Sequence, residues 1–357
     1  MLYIFIAIFR QDLFFILGME ETEEIVLIND TRFYEKLIVA IVKGVGYGLG
    51  SIPLIPRLLK QGLAPNSRAS SQQSIKYKEN GSTVYRSCSS KDGLSSEFKG
   101  IKTINYFFLE SAKKYPTRRC MGKRVLLSMS TKEDLTTNKN TVQYEFGDFV
   151  WMTYGQVSNM VENVCKKLID LGFNRDRKMV LFCNTSPDWL TMNLSLINIS
   201  SPVVTVYFNL PDDSIKYALN LTEARGIMVD EKSYPRILKL IDDLPFLEYI
   251  ITTSHIKPID ITERPPKRVK VTDFIEFIKY ESATNPNSCQ PQNTNDIALI
   301  MFTSGTTGTP KGVMISHRNI IAVTAGIKDI KLLAKYNIYA AFLPSAHIFE
   351  YYMGKLF

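Results

Sequence analysis

With 357 residues the chain is long enough for about two domains, and a hydrophobic content of 45% can fill a large core. The net charge of +8 suits a solvated basic face, an anionic membrane surface or a polyanionic ligand; no stretch spaces aromatic and basic residues as a nucleic-acid module does, which excludes nucleic acid as a partner. The 5 cysteines (Cys88, Cys120, Cys165, Cys183, Cys289) are odd in number and widely spaced, which excludes a disulfide framework or a zinc site and fits free thiols in a reducing compartment.

Residues 1–36 open on an apolar, aromatic stretch broken by Arg10, Gln11 and Asp12. It lacks the basic start and small-residue cleavage site of a signal peptide. Residues 37–59 are the better membrane candidate. Their apolar part would span roughly 28 Å as a helix, close to a hydrocarbon core of ~30 Å, and Lys43 near one end can snorkel. Gly44, Gly46, Gly48 and Gly50 alternate without the order of a dinucleotide-binding turn, and their four-residue spacing fits a helix-packing face. A monotopic placement stays open beside a transmembrane one. Glu20, Glu21, Glu23 and Glu24 precede the segment, and Arg57, Lys60, Arg68, Lys76 and Lys78 follow it. Positive flanks stay cytosolic, so the downstream chain is expected in the cytosol.

Residues 60–100 are rich in Ser, Lys, Gly and Asn with little apolar periodicity and read as a linker. The remainder, 101–357, reads as one α/β region. A helix is expected over 103–114, stopped near Tyr115-Pro116, followed by short strand-like runs around Val125-Leu126-Leu127 and 146–152. Thr153 and Gln156 have capping-box spacing, and Val157, Met160, Val161, Val164, Cys165 and Leu168 line one helical face up to Gly172. Cys165 on that face reads as core.

From Lys178 the pattern alternates. Strands are expected at 179–183, 203–207, 226–229 and 248–252, and helices at 187–199, 211–219 and 233–241. Ser186 and Pro187 open the first of these helices. Such alternation predicts a doubly wound, mostly parallel sheet with helices on both faces. Sequons such as Asn184-Thr185-Ser186 and Asn220-Leu221-Thr222 fall inside these elements and read as chance occurrences. His255 lies in a Pro- and charge-rich loop and receives no role.

A polar connector, 285–295, leads to the apolar run 296–301 and then to Phe302-Thr303-Ser304-Gly305-Thr306-Thr307-Gly308-Thr309-Pro310-Lys311-Gly312. A buried strand emptying into such a turn makes a phosphate cradle: glycines let successive N–H groups face one concavity, hydroxyls add donors, and Lys311 adds charge. It is not a Walker-type loop, because Pro310 stands where the second glycine belongs and Gly312 follows the lysine. A short strand at 313–315, a helix from Ser316 to about residue 330 and a strand at 339–343 come next. His317 reads as a surface or capping residue. The chain then carries Leu343-Pro344-Ser345-Ala346-His347-Ile348-Phe349-Glu350 and stops at Phe357.

The Ser-Gly-Thr-Thr-Gly-x-Pro-Lys-Gly spacing resembles the adenylate-forming superfamily. With the later Leu-Pro-x-x-His-x-x-Glu run, Trp151-Met152-Thr153-Tyr154 and Pro187-Asp188-Trp189, the chain from about residue 102 onward resembles eukaryotic long-chain fatty acyl-CoA synthetases. The resemblance implies the adenylate-forming large domain behind an N-terminal membrane helix. It implies ATP and Mg²⁺ as cofactors, coenzyme A as co-substrate, a long-chain fatty acid as substrate and membrane lipids as neighbours, at the endoplasmic reticulum first and the mitochondrial outer membrane or lipid droplets next. By that likeness Thr303, Ser304, Gly305, Thr306, Thr307, Gly308, Lys311 and Gly312 hold the nucleotide's phosphates. Lys311 and His347 serve catalysis, and His347 and Glu350 border the acyl-adenylate. No Ser/His/Asp or Cys/His constellation competes, and the reaction needs no side-chain nucleophile.

Ser345 replaces a leucine usual in the His-containing motif, and Pro211-Asp212 replaces small residues. No later Gly-Tyr-Gly-x-Thr-Glu-like or Thr-Gly-Asp-like segment follows, so the chain is expected to be a truncated adenylation domain that does not make acyl-CoA alone. Another adenylate-forming enzyme, and a membrane-tethered non-catalytic product, remain open alternatives.

Overall fold

The computed structural model describes residues 74–88, 100–101, 103–134, 139–254, 256, 258–285, 293–303, 310–327 and 338–356. The expected membrane segment 37–59, Cys289, His255 and loop residues 304–309 lie outside them. Among the described residues no helix is long and apolar enough to cross a membrane. The chain divides into two units, Met1–Lys91 and Asp92–Phe357.

The first unit contains an antiparallel hairpin, β1 (Ser74–Glu79) and β2 (Ser82–Ser87), where the sequence reading placed a linker. Asn80 and Gly81 both take positive φ, 49° and 79°, the pair of left-handed residues that a two-residue hairpin turn requires. The signal was missed because Ser, Lys and Thr fill the strands.

The second unit is built on a seven-stranded sheet of order β11-β10-β6-β5-β7-β8-β9. Its strands are β5 (Met179–Phe182), β6 (Val203–Thr205), β7 (Gly226–Val229), β8 (Tyr249–Thr252), β9 (Lys270–Asp273), β10 (Ile297–Thr303) and β11 (Lys311–Ser316). All neighbours pair in parallel except β10 and β11, so the expected mostly parallel sheet carries one antiparallel edge. β5 and β7 are buried throughout, as strands covered on both faces must be. One face packs beneath α2 (Tyr154–Asp170) and α3 (Pro187–Asn198), the other beneath α4 (Asp212–Leu221) and α5 (Tyr234–Leu240).

Local rules fix the helix ends. In α2 the Thr153 hydroxyl accepts from Gln156 N–H at 3.2 Å, and Gln156 Oε1 accepts from Thr153 N–H at 2.8 Å, a complete capping box. At its far end Gly172 sits at φ 83° and Phe173 N–H reaches Leu168 C=O at 2.9 Å, the Schellman closure. Ser186 caps α3 by accepting from Trp189 N–H at 3.1 Å. Cys165 is fully buried in the core beneath α2.

Four further differences have physical reasons. The short strand-like runs are one long hairpin, β3 (Arg119–Asp134) with β4 (Lys139–Thr153); irregularities in pairing near Met121, Leu126 and Ser128 break the alternation that would have shown its length. β9 and α6 (Phe274–Ile278) were unforeseen, being only 4 and 5 residues long. Residues 339–343 form no strand; the apolar run has no ladder partner among the described residues. His317 is 1% exposed rather than on the surface. It opens α7 (His317–Ile327), and its Nδ1 accepts the N–H of Ile104 at 3.3 Å, capping α1 (Ile104–Lys114), whose own Thr103 makes no side-chain cap.

Candidate functional site

The site is positioned by the register between β6 and β10. Met301 pairs with Thr205 in parallel; two residues further along each chain come Thr303 and Tyr207. Thr303 is exposed at the end of β10, and Tyr207 follows the end of β6 by two residues. The Tyr207 ring in turn meets the His347 ring edge-on, with centroids 6.4 Å apart at 65°. Two sequence motifs 44 positions apart thus reach the same carboxyl end of the sheet, where α/β folds bind ligands.

Lys311 begins β11 directly opposite Thr303 and is exposed, so the loop opens and closes on one rung of the ladder. Ser304, Gly305, Thr306, Thr307 and Gly308 belong to the connection outside the described residues. Gly312 has a steric reason to be glycine: a Cβ there would stand 3.1 Å from the Phe302 ring and 3.3 Å from Ile300.

His347 is exposed and caps α8 (Ile348–Leu356). Its N–H donates to Pro344 C=O at 2.8 Å, its C=O accepts from Tyr351 N–H at 2.9 Å, and its Nδ1 accepts from Phe349 N–H at 3.2 Å. Nδ1 being an acceptor, Nε2 is the ring nitrogen left to donate. Glu350, one turn later, is 1% exposed. Its Oε2 accepts from the Tyr339 hydroxyl at 2.8 Å, while Oε1 is buried with no hydrogen-bond partner among the described residues. Burial and the bond to Glu350 push the Tyr339 hydroxyl pKa up.

Three residues outside the motif reading hold this end in place. Thr185 donates to Leu343 C=O at 2.9 Å and accepts from Ser345 N–H at 2.7 Å, pinning the turn that leads to His347. Ser345 itself is buried. Arg236 donates to the carbonyls of Phe208 and Leu210 and to the Asp212 carboxylate, fixing the turn that carries Tyr207. Asp212, where the resemblance expects a small residue, thereby gains a structural role. Tyr207, whose hydroxyl pKa is raised by burial, carried no local signal; only the strand register brings it to the site.

The switch point between β5 and β7, the other usual ligand crevice of such a sheet, is closed by its own side chains. Asp230 accepts from the backbone and side-chain N–H of Asn184 at 2.9 and 2.8 Å. Its second oxygen accepts from the backbone N–H groups of Lys232 and Ser233 and from the Ser233 hydroxyl. Among the described residues no group of three or more His, Cys, Asp or Glu could hold a metal ion.

The family model described as AMP-binding enzyme matches residues 131–356, more than half of the chain. The chain is 28% identical over 310 residues to long chain acyl-CoA synthetase 8 of Arabidopsis thaliana, covering 85% of this chain and 42% of that protein. It is 27% identical over 288 residues to long-chain-fatty-acid–CoA ligase 1 of Schizosaccharomyces pombe, covering 77% and 42%. The chain therefore spans about two fifths of the length of these relatives. Among solved structures it resembles the A-PCP didomain of a carboxylic acid reductase from Segniliparus rugosus, in complex with AMP, with a TM-score of 0.56 and 15% identity over 73% of this chain and 38% of that one. It also resembles the N-terminal domain of FACL13 from Mycobacterium tuberculosis, with a TM-score of 0.52 and 17% identity over 72% and 55%. At those identities the likeness establishes the fold.

Proposed function

The chain belongs to the AMP-binding enzyme family, and from that premise we propose that it carries the phosphate-gripping portion of a long-chain fatty acid–CoA ligase. In that chemistry the fatty carboxylate attacks the α-phosphorus of ATP, giving an acyl-adenylate and pyrophosphate; the thiol of coenzyme A then displaces AMP to form the thioester. Negative charge gathers on the departing pyrophosphate. The hydroxyls and backbone N–H groups of Thr303, Ser304, Thr306 and Thr307 face that charge in this reading, with Gly305 and Gly308 shaping the turn and Lys311 neutralising it. Each such donor contributes ~3 kcal/mol when removed singly. His347 Nε2 stands where carboxylate and α-phosphate meet, and Glu350 keeps the adjoining segment in place through Tyr339. Mg²⁺, when bound, would share with Lys311 in neutralising the pyrophosphate charge.

The observations that support the proposal are the pairing of Thr303 with Lys311 and the meeting of the Tyr207 and His347 rings, both just beyond the last parallel pair of β6 and β10. Calorimetric titration with ATP tests it. We expect saturable binding to the wild-type chain, and Lys311→Ala to weaken it at least tenfold; equal affinity of the two proteins sinks the assignment. A thioester assay with ATP, fatty acid and coenzyme A is expected to show no turnover by this chain alone. We also place the protein at a membrane through residues 37–59, with its catalytic part cytosolic, at the endoplasmic reticulum. Release of the expressed chain from membranes by alkaline carbonate would argue against a spanning anchor.

A further inference from the structure

From Leu126, opposite Phe146, the β3–β4 hairpin runs on to Asp134, opposite Lys139, roughly 27 Å of paired ribbon. Its two faces differ. On one, Met129 stands opposite Tyr144 and Thr131 opposite Val142, and the Tyr144 and Phe146 rings lie 6.2 Å apart. Met129, Val142, Tyr144 and Phe146 are between 37% and 53% exposed, so no described part of the chain covers the row they make. On the other face Ser130 stands opposite Gln143, and the Ser128 hydroxyl donates to the Glu145 carboxylate at 2.6 Å. The alternation is that of a sheet with one face in a core and one in water, yet here the apolar face has nothing packed on it.

Charge narrows the choice of what belongs there. The cation lying against the row is Arg124, itself exposed. Its guanidinium is 5.8 Å from the Phe146 ring centroid and 6.0 Å from that of Phe149. It is fixed in place by donating to Phe146 C=O at 2.7 Å and Gly147 C=O at 2.8 Å. Glu145, the carboxylate between Tyr144 and Phe146, is engaged on the polar face. A second copy of the chain would bring another Arg124 to this row and no acid to meet it. An aromatic strip with a fixed cation instead complements an anionic lipid surface, where rings settle at the headgroup level and an arginine meets phosphate or carboxylate.

We propose that the apolar face of the β3–β4 hairpin docks on the anionic surface of a lipid bilayer. The occupant is the bilayer surface itself, lying against the outside of the ribbon, with no lipid drawn into the protein. The contact is separate from residues 37–59 and depends neither on that segment nor on nucleotide binding.

The test is photocrosslinking of the full chain on vesicles. A benzophenone side chain is placed at Tyr144, in the row, or at Gln143, on the other face. Vesicles are phosphatidylcholine with or without phosphatidylserine. Irradiation is expected to give lipid adducts from position 144 and at least fivefold fewer from 143. Adducts from 144 should rise at least fivefold when phosphatidylserine is present at low salt, and lose that rise at high salt or in Arg124→Gln. Equal adducts from the two positions would mean that the hairpin is merely near the bilayer. Crosslinks from 144 to a second copy would make the row a dimer face. Either result, an absence of lipid adducts, or a yield indifferent to phosphatidylserine would overturn the proposal. Release of the chain by alkaline carbonate removes only the spanning anchor at 37–59, and failure of ATP binding removes only the nucleotide assignment; the adducts from 144 are expected in both cases.

Discussion

Thr185 uses one hydroxyl twice, as donor to Leu343 and acceptor from Ser345. Thr185→Val leaves a carbonyl and an N–H unpaired near the core, and is expected to cost about 1–3 kcal/mol in urea unfolding; Thr185→Ser should restore most of it. Cys120 shows the opposite kind of constraint. Burial pushes its thiol up to about 12, so it stays protonated through neutral pH. Because the folded pKa lies above that of an unfolded thiol, stability is unaffected below about pH 8.5 and falls as pH rises toward 12. Mass-spectrometric mapping after brief alkylation at pH 8 should find Cys120 unmodified in the native protein and modified in urea. Single residues of the site differ in how far they can be read in advance. Thr303, Lys311 and His347 belong to contiguous motifs whose chemistry is visible in the residue order. Tyr207 and Arg236 act across strand register and between distant turns, and His317 caps a helix more than 200 positions earlier. Nothing local to these three discloses that.

Among the elements, those governed by neighbouring residues are the ones that sequence reading places well. The capping box of α2 is an example, and Thr153→Ala is expected to destabilise the protein by about 1 kcal/mol, measured by urea midpoint; a loss below ~0.3 kcal/mol would mean the cap is redundant with packing. The β3–β4 hairpin is the contrary case. Its irregular pairing hid its length, and it presents Leu127, Met129, Val142, Tyr144 and Phe146 to solvent, with Ser128 and Glu145 paired on the alternate positions. Polar substitution of that row, Leu127→Thr with Tyr144→Ser, should lower binding of a hydrophobic dye while moving the unfolding midpoint by less than ~0.5 kcal/mol. A larger loss would show that the row is part of the core.

At the level of the whole molecule, a few polar ties join parts of the sequence that periodicity treats separately. Asp170, at the end of α2, accepts from Thr284 at 2.6 Å, from Tyr280 at 2.7 Å and from Ser282 at 2.9 Å. The Thr284 bond first, then Tyr280 and Ser282, hold its carboxyl below the usual carboxylate range. A depressed pKa contributes stability that is present above the unfolded value near 4 and is lost as pH falls through the folded one. Urea midpoints compared between wild type and Asp170→Asn should therefore differ at pH 6 and converge as pH falls through the folded value; a difference that persists in acid would assign the effect to packing. The parallel sheet was legible because each strand is a short apolar run between helical periods. Its antiparallel edge was not, because strand direction is set by pairing and leaves no mark on β11 itself.

That edge has one more consequence. Since Thr303 and Lys311 face each other across the ladder, the turn between them is stitched at both feet to β10 and β11. A cleavage site engineered into 304–309 would give two pieces that travel together under native conditions and part only in denaturant. On the proposed assignment, the cut protein would keep its sheet while losing its hold on nucleotide, so the grip could be unfastened without unravelling the fabric that bears it.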